Sequence, residues 1–131
     1  MHHSATELEC LGQDAFDFVL DGFLLHCLIG DDRPAYLRQV HHVLKPDGIF
    51  MLQSFCAEDI SAPQWQDWKI DPQTRYQYAP DGTATKYIGN RDAIHKILHQ
   101  TGFQIIHEKT SPIGGGMLIA HCQPCPAEQE C

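Results

Sequence analysis

A chain of 131 residues allows one domain, and an apolar share of 43% is enough to build a core. A net charge of −8 argues against a nucleic-acid phosphate backbone as a general partner. No apolar stretch reaches the length of a membrane span, and Met1-His2-His3 leads into no signal-like apolar run, so the expected compartment is the cytoplasm.

Residues Met1 to Ala15 are polar and without period, and read as an arm, with a short helix at Thr6–Leu11 as one option. Phe16–Asp21 is the first predicted strand. Its unalternating Phe, Val and Leu residues suit a strand covered on both faces. Gly22 follows, and Phe23–Ile29 continues as a short apolar helix or turn. Asp32 is expected to cap a helix with Pro34 in its first turn. Tyr36, Leu37, Val40, Val43 and Leu44 recur at helical spacing. Lys45-Pro46-Asp47-Gly48 then turns the chain into a second strand, Ile49–Leu52. Strand, helix, strand is the unit of a parallel sheet.

From Cys56 to about residue 88 the chain changes character, with Pro63, Trp65, Trp68, Pro72, Pro80 and Gly82. Arg75–Ala79 and Thr83–Tyr87 flank Pro80-Asp81-Gly82, which predicts a β-hairpin insertion. Asn90 or Arg91 opens a second helix with an Ile94, Ile97, Leu98 stripe, and Gly102 ends it. Phe103–His107 and Met117–Cys122 are the remaining strands, joined through Ser111–Gly116. The domain proper spans 16–123, and 124–131 is a tail.

Several residues invite a chemical reading, each beside a plainer one. In open α/β sheets, ligands bind beyond the carboxyl ends of the strands, where Asp21, Gly22 and His26 fall. Asp21 and Gly22 could wall a cleft, or Asp21 could bond its own turn. His26 could take a proton, or be a packed side chain. Trp65 and Trp68 could stack on a planar substrate, or anchor the insertion. Gly114-Gly115-Gly116 opens a strand rather than a helix, so it is no phosphate loop; a hairpin connection or a lid over the cleft both fit.

His95 and His99 could share a helix face with a metal, but no partner is spaced to complete a site, so no metal is expected. The six cysteines sit outside a disulfide-scaffold pattern and are expected to be reduced, with Cys27 in the core. Cys122 and Cys125 form one CxxC, near Cys131, with no second pair for zinc.

The stretch Phe16–Phe55 resembles the middle of a class I S-adenosylmethionine-dependent methyltransferase. Phe16-Asp17-Phe18-Val19-Leu20-Asp21 is similar to that family's fourth strand. Val43-Leu44-Lys45-Pro46-Asp47-Gly48 is similar to the phrase before its fifth, and Thr101-Gly102-Phe103 to the turn before its sixth. The resemblance implies a truncated Rossmann-like sheet of about four main strands. Their order would be fourth, fifth, seventh, sixth, with the last strand antiparallel. It implies S-adenosylmethionine as cofactor and methyl transfer to a small-molecule acceptor. Asp21 and Gly22 would lie near the cofactor, His26 would be the catalytic candidate, and Trp65, Trp68 and Gly114–Gly116 would cover the substrate.

The family's first strand, glycine-rich loop and ribose-binding acid are expected upstream of this stretch and find no match. Strand 16–21 would then lack its usual neighbour. Several unpaired backbone groups at roughly 1–3 kcal/mol each would strain a domain stable by about 5–15 kcal/mol. That edge is expected to be covered, by a second copy first, or by a separate upstream half or the folded-back arm. The alternative is a catalytically inactive interaction module, since a missing glycine-rich loop removes the cofactor's main anchor.

Overall fold

The computed structural model describes residues 15–22, 24–111 and 116–125. Its order is β1 (Phe16–Gly22), a 3₁₀ turn at Leu25–Cys27, α1 (Asp32–Val43) and β2 (Leu44–Phe55). A second 3₁₀ segment (Pro63–Trp68), β3 (Tyr76–Tyr78), β4 (Ala84–Tyr87), α2 (Arg91–Gln100), β5 (Phe103–Ser111) and β6 (Met117–Pro124) follow. The main sheet has four strands in the order β1-β2-β6-β5, and β3-β4 form a separate hairpin. β1 and β2 are parallel, and β6 runs antiparallel to both β2 and β5. This is the mixed α/β arrangement expected, with the last strand slotted between two earlier ones.

Both helices pack on one face of the sheet. Tyr36, Leu37 and Val40 of α1, and Ile94 and Leu98 of α2, join Phe50, Leu52, Leu118, Ala120 and Cys122 in a single core. Those strand residues alternate with half-buried Ile49, Met51, Ile119 and His121, as the two-residue strand period requires. Asn90 caps α2, its Oδ1 accepting the Ala93 N–H at 2.8 Å. Asn90→Ala should cost about 1 kcal/mol, read as a melting temperature lower by about 4 °C.

The expectation that β1 is covered on both faces is overturned. Phe18 is 54% and Leu20 55% exposed, and Phe16 is exposed too; Asp21 is buried and Val19 half-buried. Among the described residues β1 pairs on one side only, and the face carrying Phe18 and Leu20 lies opposite the helices. An apolar run reads the same whether one face or two are covered.

Three smaller corrections concern boundaries. Asp32 is the first residue of α1; Asp31 occupies the cap position, with no side-chain cap bond. β2 starts at Leu44, directly after the helix, and the Lys45–Gly48 phrase is absorbed where its register against β1 shifts. The predicted strand Phe103–His107 continues to Ser111.

Cys27 is exposed rather than in the core, because its 3₁₀ turn points Leu25 and His26 inward instead. Cys56 and Cys122 are free thiols, whereas Cys125 is disulfide-bonded, which corrects the reduced-thiol expectation for that residue. Cys10, Cys131, most of the predicted arm and most of the tail lie outside the described residues. Among the described residues no helix is long and apolar enough to cross a membrane.

Candidate functional site

Gly22, Phe55 and Ser111 end the three parallel strands β1, β2 and β5 at one edge of the sheet, and β6 starts there at Met117. Asp21, Gly22, His26, Trp65, Trp68 and Gly116 converge on this edge because strand ends and insertion meet there.

Asp21 is buried, and its carboxylate serves the turn that follows. It accepts the N–H of Leu24 at 2.6 Å and of Leu25 at 3.2 Å, and the hydroxyl of Tyr36. Burial pushes its pKa up; those hydrogen bonds and the Arg33 charge pull the other way. Burial, then the adjacent Asp21 charge, holds the Tyr36 hydroxyl protonated far above neutrality. Arg33 completes the support: it donates to the Leu25 carbonyl at 2.7 Å and lies 4.5 Å above the Tyr87 ring. Gly22, next along, is exposed, with nothing within 4 Å of where a Cβ would stand. Open backbone at a strand's carboxyl end is what a ligand can approach; the Asp21 carboxylate is turned inward to the protein.

His26 is buried, and its Nδ1 accepts the Phe55 N–H at 3.4 Å. A neutral ring bonded that way carries its proton on Nε2. Burial first, then the charges of Lys86 and Arg33, lower its pKa to about 4. At neutral pH it is an uncharged hydrogen-bond donor and a weak base.

Phe55 joins the two halves of the edge. Its ring lies 4.6 Å from His26, 4.9 Å from Trp68 and 6.3 Å from Trp65, centroid to centroid. Trp65 is buried with Ala57 and Ile88 in a second, smaller core, while Trp68 is half-buried. Gly116 closes this side. A Cβ there would stand 2.6 Å from the Cys56 carbonyl oxygen and 3.3 Å from the Trp65 ring, so glycine is needed. Gly114 and Gly115 lie outside the described residues. The Cys56 thiol is pushed up to about 11 by burial and then by Glu58, so it stays protonated and is no nucleophile at neutral pH.

The hairpin is pinned to the same edge. The Arg75 guanidinium donates to the Ala57 carbonyl at 2.5 Å and the Glu58 carbonyl at 3.1 Å. Gln77 Nε2 donates to the Trp68 carbonyl at 2.9 Å. The histidines considered for a metal sit elsewhere: His95 pairs with Glu108 at 2.6 Å, and Glu108 also takes Arg91. Among the described residues no three His, Cys, Asp or Glu are arranged to hold a metal ion. Sequence reasoning missed Phe55, Arg33 and Tyr36. The signal available was position: Phe55 ends β2 as Asp21 nearly ends β1.

The chain matches a family model described as a methyltransferase domain over residues 2–108. Among solved structures it is similar to a Burkholderia thailandensis 1,6-didemethyltoxoflavin-N1-methyltransferase with bound 1,6-didemethyltoxoflavin and S-adenosylhomocysteine. That likeness has a TM-score of 0.71 at 21% identity, covering 93% of this chain and 48% of that one. A S-adenosylmethionine-dependent methyltransferase from Methanosarcina mazei gives a TM-score of 0.72 at 17% identity, covering 95% of this chain and 66% of that one. Arginine-hydroxylase NDUFAF5, mitochondrial, of Danio rerio is 46% identical over 39 residues, which is 30% of this chain and 12% of the relative. The chain thus spans about half the length of the toxoflavin enzyme and a small part of the hydroxylase. A match over most of the sequence and a shared sheet agree: this chain belongs to the methyltransferase-domain family.

Proposed function

We propose that this chain forms the carboxyl-terminal part of a S-adenosylmethionine-dependent methyltransferase site and acts on a small molecule. The observation that supports it is the convergence of Gly22, His26, Phe55 and Trp68 on the carboxyl edge of the parallel strands, in a chain of this family. When bound, the cofactor supplies an electrophilic methyl group. The residues present fit one end of such a cofactor: open backbone at Gly22, backed by the Asp21 turn. Methyl transfer is an in-line displacement, so positioning counts for more than a base. His26 suits that role as a neutral donor at Nε2, and Phe55 with the two tryptophans keeps water from one wall.

The rest of the site comes from a complement to β1. Phe18 and Leu20 lie half bare, and covering them would recover about 1 kcal/mol each. Among the described residues no strand pairs with the outer edge of β1, which offers its backbone to an added strand. The greater length of the solved relatives favours the remainder of the domain as this complement, in the same or a separate polypeptide, over a second copy of the chain. The test is calorimetry with S-adenosylhomocysteine on the chain alone and on the chain joined to its natural upstream sequence or partner, followed by radiolabelled methyl transfer to extracted small molecules. Binding at about 1–100 µM only in the completed assembly, with label transferred, is the expected result. Equal binding by the chain alone would refute the need for a complement, and no transfer by the assembly would refute the enzyme reading.

One observation favours a second reading. A 39-residue stretch is 46% identical to part of a protein named as an arginine hydroxylase, so this kind of segment is also found where the named chemistry is not methyl transfer. On that reading the chain is an interaction module, and the labelled-methyl experiment returns nothing with any complement.

A further inference from the structure

Beside the aromatic wall lies an open groove of about 320 Å³, lined by Asp67, Trp68, Gln77 and Lys86. Gln77 and Lys86 stand opposite one another in the β3-β4 register, so both side chains share one face of the hairpin. The Gln77 amide is fixed by its bond to the Trp68 backbone carbonyl, which ties that face to the segment carrying the indole. Lys86 is half-buried, and its ammonium makes no ion pair or hydrogen bond among the described residues. Its apolar stem packs along the hairpin while its ammonium, at the open groove and without a protein counter-ion among those residues, is available to a ligand anion. The groove is next to the candidate edge: Trp68 touches Phe55, which touches His26, and the Lys86 charge bears on His26 more than that of Arg33 does.

We infer that this groove takes a planar aromatic anion, its ring against Trp68 and its carboxylate or phenolate on Lys86, as the class of methyl acceptor. Asp67, on the exposed rim, excludes a second negative charge and accepts from a ring hydroxyl or amine. An aromatic face gives affinity without fine shape matching, and the single ammonium gives the sign of charge. The meaning of the groove as an acceptor site rests on the methyl-transfer reading; its ligand preference does not.

The test is a titration of the full chain with 2-naphthoate and with 2-naphthamide, followed by the nitrogen-15 NMR signals of the two tryptophan indoles. Trp68→Phe assigns them. The acid should shift the Trp68 signal saturably, the amide should bind about tenfold more weakly, and Lys86→Gln should reduce binding of the acid by a similar factor while leaving that of the amide unchanged. An unchanged Trp65 signal in Lys86→Gln confirms that the fold is retained. Equal binding of acid and amide, an unaltered affinity in Lys86→Gln, or no Trp68 shift would overturn the inference. None of these readouts involves the methyl donor. Naphthoate binding without methyl transfer in the completed assembly would sink the enzyme reading and leave the groove's preference standing.

Discussion

Trp65→Ala is expected to destabilise the chain by about 3–5 kcal/mol, the range for emptying a buried tryptophan site. Trp65 is 2% exposed and holds Ala57, Ile88, Phe55 and Trp68 together. Its loss leaves a hole that the surroundings cannot close, since Arg75 fixes the hairpin to the Ala57 and Glu58 carbonyls. In urea unfolding the midpoint should fall by about 2 M, taking a slope near 2 kcal/mol per molar for a small protein. Because Trp65 belongs to the smaller core, amide exchange should rise first in Tyr76–Ile88 and leave α1 and β6 protected. A cost below about 1 kcal/mol would mean the insertion is held by its hydrogen bonds and not by this side chain.

The second large effect is a loss of stability in mild acid. The folded value of His26 is about 4, below the ordinary 6.5. A group with a depressed folded value stabilises above the unfolded value and loses that contribution as pH falls through the folded one. Between pH 6.5 and 4 the unfolded chain takes up a proton that the buried ring refuses. That gap is worth about 3 kcal/mol in all, of which about 2 should be gone by pH 5. Asp21 acts in the opposite sense: its raised folded value means its contribution is present in acid and is lost as pH rises through that value. Urea unfolding at pH 7 and pH 5, for the natural chain and His26→Phe, isolates the histidine. The natural chain should lose stability over this interval and the variant should lose about 2 kcal/mol less. Parallel losses in both proteins would show that the ring is protonated in the fold.

The sheet was legible because its core obeys simple periods. Tyr36, Leu37 and Val40 recur at helical spacing, and Phe50 and Leu52 alternate with half-buried neighbours. The order β1-β2-β6-β5 came from a resemblance between phrases and not from periodicity, which carries no information on neighbours. The exposure of Phe18 and Leu20 was illegible, since what covers a strand is written in other segments. Cys27 and His26 show the same limit at finer scale: adjacent residues of one apolar run, one outside and one inside, sorted by a 3₁₀ turn. The site was legible by position, through the rule on strand ends. Its wiring was not, because the Asp21 hydroxyl partner and the Phe55 bridge depend on contacts across 15 and 29 positions of chain.

The place of β6 has a consequence for how the molecule comes into being. It is the last of these strands to leave the ribosome, yet among the described residues it supplies the backbone pairing that joins β2 to β5. Until Met117–Pro124 arrives, β1-β2 and α2-β5 share side-chain contacts such as Phe50 on Phe103 but no strand pairing, and the edges that β6 fills stay open. Folding therefore waits on one late insertion between two pre-formed rails, and in that interval the growing chain is at its most exposed to unwanted association.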